Sequence, residues 1–276
     1  MRRPPRLTVV RDQGTVGEQR PWWSSADTLP ATSKQDGADS IKRVLSVVIP
    51  AYNEEGRLPS TLRRMRAYLD GAGERYEVIV VDDGSTDATV ARAREFASDW
   101  PELTVIEQAR NQGKGAAVRA GMIAATGDHR LFSDADLSTP IEDVVKLRSL
   151  LVGRCQVAIA SRAHPEANIE VHQDKRRELM GRTYNLLLRL LVLPGVHDSQ
   201  CGFKVFTAEA ATTCFGPLRT HRFGFDAEAL LRAKKAGYVV TEVPVTWRHV
   251  EASRVNSLKD SSRMLFDLIL LRLRGI

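Results

Sequence analysis

Asp134-Ala135-Asp136 sets two carboxylates one residue apart, directly after the strand-like segment from His129 to Ser133. In extended backbone the side chains i and i+2 share a face, so both carboxylates would reach one pocket. Two close carboxylates repel each other unless a cation joins them. A hard divalent ion, Mg²⁺ or Mn²⁺, suits such an all-oxygen site and keeps water and phosphate as its other ligands. A metal held there can neutralise a departing diphosphate. A solvated acidic turn is the competing reading; the position after an apolar strand favours the metal.

Three further polar clusters fit a nucleotide. In Pro50-Ala51-Tyr52-Asn53-Glu54-Glu55, Tyr52 can pack on a base and Glu54 can accept from a ribose hydroxyl. Acidic residues at a helix entry would explain the same segment without a ligand. Asp82-Asp83-Gly84-Ser85-Thr86-Asp87 offers a carboxylate to the imide N–H of uracil or the donors of guanine. Ser85 or Thr86 is expected to cap the next helix, leaving Asp82 and Asp83 for ligand. Asn111-Gln112-Gly113-Lys114-Gly115 is a glycine-rich loop opening a helix, and its N–H groups and lysine suit an anion. It has neither P-loop nor dinucleotide-fingerprint spacing.

The elements that must position these clusters alternate. Val44–Pro50, Glu77–Val81, Leu103–Glu107, His129–Ser133 and Val157–Ala160 read as strands. Leu58–Leu69, Thr86–Ala97 and Gly115–Thr126 read as helices between them. That order predicts an α/β fold with a mostly parallel central sheet flanked by helices, and ligands beyond the carboxyl ends of its strands. The clusters after Ile49, Val81 and Phe132 all fall at such ends. Downstream, 164–173 reads as a loop, Lys175–Leu193 as a helix, 197–206 as a segment with a Gly-Phe turn, and Asp226–Gly237 as a helix. Val239–Trp247 reads as a strand interrupted near Pro244. Residues 1–43, with four prolines and Trp22-Trp23, read as a disordered basic tail before a single domain, 44–276.

The formal charge of +6 points to anionic partners. No zinc spacing or aromatic-basic motif points to nucleic acid. Three cysteines without a CxxC pair exclude a disulfide framework and a structural zinc, and fit a reducing cytoplasmic compartment. No apolar run is long enough to span a bilayer. Leu186–Leu193 and Met264–Leu273 are expected to be core helices; a helix lying in the membrane interface is the alternative.

LSVVIPAYNEE, VIVVDDGSTD, NQGKGAAVRAG and DADLSTP, in that order, resemble glycosyltransferase family 2, whose fold is GT-A. SRAH at Ser161, DSQCGFKVF at Asp198, FGFDAE at Phe223 and EASR at Glu251 resemble its dolichyl-phosphate β-glucosyltransferase branch, and polyprenyl-phosphate mannose synthases more loosely. The resemblance implies that Pro50, Ala51, Tyr52, Glu54 and Asp82 or Asp83 bind the nucleoside. It implies that Asp134 and Asp136, with Ser138 nearby, hold metal and diphosphate. Arg162, Arg177, Arg248 and Arg254 would face the acceptor phosphate or the diphosphate, and Asp226 and Glu228 would shape the sugar pocket.

The reaction so implied passes a sugar, with UDP-glucose favoured, to polyprenyl phosphate with inversion. A phosphate monoester is largely ionised at neutral pH and needs no general base. Alternatives are a UDP-N-acetylhexosamine or GDP-mannose donor, a non-lipid hydroxyl acceptor with Asp198 or Asp226 as base, and a non-catalytic nucleotide-sugar sensor. Two departures matter: the membrane helix that precedes the domain in eukaryotic members is missing, and so is the Q-x-x-R-W motif of processive synthases. The expected enzyme is therefore peripheral at the cytoplasmic membrane face, or works with a membrane-protein partner.

Overall fold

The structure is a computed structural model and describes residues 44–151, 155–250 and 269–270. The elements in chain order are β1 (Leu45–Ala51), α1 (Leu58–Gly71), β2 (Tyr76–Asp82), α2 (Thr89–Ala97), β3 (Leu103–Glu107), α3 (Lys114–Ala124), β4 (His129–Ser133), a 3₁₀ turn (Ile141–Asp143) and α4 (Val144–Arg148). They continue with β5 (Cys155–Ser161), β6 (Asn168–Val171), α5 (Lys175–Leu191), β7 (Phe203–Thr207), α6 (Ala208–Phe215), α7 (Phe225–Lys235), β8 (Val239–Pro244) and β9 (Thr246–Arg248).

Seven strands form one sheet in the order β3-β2-β1-β4-β7-β5-β8. β1 is buried along its whole length, as a central strand covered on both faces must be. Alternation along it assigns the faces. Val47 and Ile49 join Leu58, Leu62 and Met65 of α1 in one core; Val48 joins Met122 of α3, Phe215 of α6 and Leu230 of α7 in the other. In α1 the apolar residues recur at helical spacing, with Pro59 in the first turn where no N–H is lost.

β1, β2, β3 and β4 run parallel, with Ala51 beside Asp82. The clusters that follow β1, β2 and β4 therefore leave the same edge. β7 is antiparallel to both β4 and β5, and Ser133 pairs with Phe203. That register brings Gly202 against Asp134. β5 again runs with β4, so Arg162, just past its end, arrives at the same edge.

The α/β expectation holds, and Val239–Trp247 divides at Val245 into β8 and β9. Four local readings are corrected. The 164–173 loop contains β6, which pairs with β9 in a separate two-stranded sheet. The segment around Gly202 turns into strand β7 rather than remaining a turn, and α6 was not foreseen. The helix expected from Thr86 starts at Thr89. Lastly, α5 is only half core: Tyr184 and Leu188, with Val192 just past its end, are buried while Leu179, Leu186 and Leu190 are exposed. Among the described residues no helix is long and apolar enough to cross a membrane. The tail 1–43 and Met264–Leu273 lie outside the described residues, apart from Ile269 and Leu270.

Candidate active site

A cavity of ≈ 330 Å³ opens at the ends of β1, β2 and β4, lined by Pro50, Ala51, Tyr52, Glu54, Asp83, Lys114, Asp134 and Asp136, among others. Its walls are tied together by backbone donors. Asn53, in the left-handed region at φ 52°, donates its N–H to Ser85 Oγ at 2.8 Å, and its side-chain oxygen accepts from Thr86 N at 2.8 Å. Ser85 and Thr86 therefore join two loops instead of capping α2. Asp87, one residue before the N-cap position, accepts from Thr89 N at 2.9 Å, while the N-cap residue Ala88 makes no side-chain cap.

Asp82 and Asp83 are not both free for ligand. Asp83 accepts from Gln112 N and Gly113 N, each at 2.8 Å, and so shapes the glycine-rich loop. Burial raises its pKa against those two hydrogen bonds. A carboxylate has lone pairs beyond two, and Asp83 still faces the cavity. Asp82 lies behind the wall: one oxygen accepts from Ser85 N at 2.9 Å, and the other is buried without a hydrogen-bond partner. Glu54 faces the cavity with both oxygens on Arg57, at 2.6 Å each.

Arg57, Arg222 and Phe223 also line this cavity; sequence reasoning assigns none of them a role, although Phe223 opens the FGFDAE stretch. Arg222 and Phe223 belong to a loop packed on the glycine-rich segment. Gly113 sits at φ 107° with room for a Cβ denied by His221 O at 2.5 Å, and Ala116 N donates to His221 O at 3.1 Å. Glu228, expected in the sugar pocket, is fully buried and lines none of these cavities. It accepts from Arg219 N at 3.0 Å, Thr220 N at 2.7 Å and Arg232 Nε at 2.8 Å, and so pins this loop.

Asp134 and Asp136 also border a smaller cavity of ≈ 120 Å³ with Ser138, Arg162, Gly202 and Trp247. Asp134 N donates to Gly202 O at 3.0 Å, and a Cβ on Gly202 would overlap the Asp134 carboxylate. Asp136 accepts from Ser138 N at 2.9 Å. Lys114 Nζ lies 2.5 Å from Asp134 Oδ1, an ionic contact, for that oxygen has no directed hydrogen bond. Burial works against the Lys114 charge, but Asp134 and Asp226 overcome it and hold the ammonium above its ordinary pKa. The donor set is two carboxylates and a hydroxyl, all hard oxygens with one carboxylate oxygen lacking a directed donor, and it fits a divalent cation. No cluster of three or more His, Cys, Asp or Glu suited to a metal occurs among the described residues, so water or phosphate oxygens would have to complete the shell.

The largest of the three cavities, ≈ 520 Å³, shares Arg162, Gln173 and Trp247 with the small one and continues along α5 past Arg182, Leu186 and Arg189. Arg162 holds Asp198 in a fork, Nε–Oδ2 2.7 Å and Nη2–Oδ1 2.8 Å, and its guanidinium lies 5.4 Å from the Trp247 ring centre. Burial disfavours the Asp198 charge, yet Arg162 wins and holds its carboxyl below the ordinary range. Glu242 fixes the segment in turn, accepting from Asp198 N at 2.8 Å and His197 N at 2.9 Å. Asp226 is buried with its partner Lys204 Nζ at 2.5 Å; burial raises its pKa against Lys204 and Lys114.

Arg248 departs from expectation. Its side chain pairs with Glu170 of β6 and borders none of these three cavities. Its neighbours Trp247 and His249 face the small one instead. The Arg177 side chain and all of Arg254 lie outside the described residues.

Comparison with known proteins agrees with this geometry. Residues 46–215 match the family model "Glycosyl transferase family 2". The chain is 36% identical to a human dolichyl-phosphate beta-glucosyltransferase over 249 residues, covering 86% of this chain and 77% of that one. A Drosophila melanogaster protein of the same name is 37% identical, with 86% and 76% covered. Among solved structures, Mycobacterium tuberculosis glucosyl-3-phosphoglycerate synthase bound to Mn²⁺ and UDP-glucose aligns with a TM-score of 0.65 at 22% identity, covering 85% of this chain and 80% of that one. That likeness establishes the shared GT-A fold. The order of strands, the clusters at their ends and the match across more than half its length place this chain in glycosyltransferase family 2.

Proposed function

We propose that the protein transfers glucose from UDP-glucose to a polyprenyl phosphate, with inversion at the anomeric carbon, at the cytoplasmic face of a membrane. The observation that carries this reading is the run of three cavities sharing walls on either side of Asp134 and Asp136. One end is suited to a nucleotide. The other combines a partly exposed arginine, Arg162, with Ile169, Leu186 and Trp247, as a phosphate on an apolar chain requires. The names of the relatives supply the sugar and the lipid class.

Tyr52 and Asp83 would receive the uracil, and Glu54, steadied by Arg57, the ribose. Asp134 and Asp136, with Ser138 beside them, would hold Mg²⁺ or Mn²⁺. The metal, when bound, neutralises charge on the departing diphosphate. Arg162, oriented by Asp198, would hold the acceptor phosphate. A phosphate oxygen attacks C1 of the glucose, the bond from C1 to the diphosphate oxygen breaks, and its electron pair leaves with UDP. No proton has to be removed from the nucleophile. The two carboxylates considered as bases fit that economy, Asp198 being forked onto Arg162 and Asp226 paired with Lys204.

A transfer assay tests the proposal. Purified protein, polyprenyl phosphate in detergent and radiolabelled UDP-glucose should give a lipid-extractable product that EDTA abolishes. UDP-N-acetylhexosamines and GDP-mannose should give little. Donor binding without a lipid product from any donor would overturn the lipid acceptor.

A further inference from the structure

Lys114 opens α3 at the rim between the nucleotide cavity and the Asp134-Ala135-Asp136 turn. Its ammonium touches Asp134 Oδ1 at 2.5 Å, the oxygen that has no directed hydrogen bond. The ammonium also lies 5.9 Å from the Phe225 ring centre, so it sits between the first residue of α7 and the acids. Asp134 has little room to turn away: its N–H is held by Gly202 O, and its carboxylate is pressed against the Gly202 backbone. One carboxylate oxygen is thus claimed by an ammonium and wanted by a divalent cation. The two cannot share it closely, because like charges at such separations in a partly dry site repel strongly.

We propose that Lys114 is an internal placeholder cation, which competes with the metal for Asp134 and yields only when a diphosphate arrives to take the ammonium. The inference rests on the metal-dependent reading above and adds to it an order of assembly. Metal alone must displace Lys114 and leave the ammonium beside the metal, near Arg57 and Arg222, with no new anion to receive it. Metal with nucleoside diphosphate provides Lys114 with new anionic oxygens while filling Asp134. Metal and nucleotide affinities are then coupled through one side chain, and by linkage each strengthens the other. Asp226, which also acts on Lys114 electrostatically, steadies the ammonium during the exchange. The device keeps two carboxylates from facing each other unneutralised before substrate binds.

The test reads Mn²⁺ binding directly, by the electron paramagnetic resonance signal of free aqueous Mn²⁺, and needs no turnover. Wild type should bind Mn²⁺ weakly alone and more tightly with UDP. Lys114→Met should bind Mn²⁺ alone more tightly than wild type, by about tenfold, within the usual range of coupling between sites. UDP should improve metal binding less in Lys114→Met than in wild type. Lys114→Gln should behave alike, and Asp134→Asn should abolish binding in either background. A gain in metal affinity cannot come from misfolding, so the result separates a placeholder from a structural lysine. If both variants bind Mn²⁺ no tighter than wild type, the placeholder role is overturned and the metal site stands. If wild type with UDP binds no Mn²⁺, the metal-dependent reading falls with it.

Discussion

The carboxylate of Asp134 is positioned by a residue that has no side chain. A Cβ on Gly202 would overlap Asp134 Oδ2, Cγ and Oδ1, and the Gly202 backbone is not in the left-handed region, so the first thing an alanine there meets is the carboxylate itself. Gly202→Ala should push Asp134 off its place while leaving the sheet intact. A displacement of about 1 Å in a catalytic group can cost ~10²-fold in rate. The expected outcome is a fall of about that size in kcat/KM together with weaker Mn²⁺ binding, at a thermal midpoint near wild type. Unchanged metal affinity would show that Asp134 is placed by other means. The same scale explains what could be read in advance. Asp134 and Asp136 announce themselves because their chemistry is local, two acids at a strand end. The division of labour between Asp82 and Asp83 could not be read. It depends on Gln112 and Gly113, about 30 residues on, folding back to donate to Asp83.

β7 shows why one strand of the sheet escaped recognition. Phe203, Val205 and Phe206 make an apolar run, but Lys204 interrupts it, and a lysine in a central strand argues against burial. The charge is tolerated because Asp226 of α7 meets it at 2.5 Å and Cys201 O accepts from it at 2.6 Å; the ammonium also lies 4.9 Å from the Phe132 ring centre. That compensation is long-range and leaves no local signature. Lys204→Met would restore the apolar pattern and abandon Asp226 in the core, and breaking one side of a buried pair costs ~3–5 kcal/mol. The pH dependence follows from burial, which already raises the Asp226 pKa and is opposed first by Lys204. Without Lys204 the pKa rises further. An acid whose folded pKa lies above its unfolded value contributes stability that is complete below the unfolded value, about 4, and is lost as pH rises through the folded one. Thermal melts of Lys204→Met should therefore sit well below wild type at pH 8 and recover toward pH 5. Lys204→Met/Asp226→Leu should regain stability at both. A pH-independent deficit in the single variant would assign it to packing instead.

Over the whole molecule, the positive balance and one helix face point the same way. The clusters at the ends of β1, β2 and β4 were legible because parallel topology gathers strand ends on one edge. What α5 presents outward was not legible, because leucine spacing in Leu186–Leu193 shows a helix but not which of its sides the sheet covers. The structure buries Tyr184, Leu188 and Val192 and leaves Leu179 at 66% and Leu190 at 67% exposure, with Leu186 also at the surface and bordering the Arg162 groove. An exposed leucine edge beside Arg182 and Arg189, continuous with the cavity assigned to the acceptor, is the face on which an anionic bilayer would deliver a polyprenyl phosphate. Leu179→Glu/Leu190→Glu should then lose binding to anionic vesicles by about tenfold or more, since burying one leucine is worth ~1.5–3 kcal/mol and a like-charged acid adds repulsion. Transfer to polyprenyl phosphate in those vesicles should fall in parallel. Transfer to a short-chain, water-soluble prenyl phosphate should survive, because Arg162 and the nucleotide cavity are untouched. Raised salt should weaken wild-type vesicle binding by screening the basic contribution, leaving the leucine contribution in place. If the double variant binds vesicles as wild type does, α5 is covered by another part of the chain or by a protein, and membrane contact is made elsewhere.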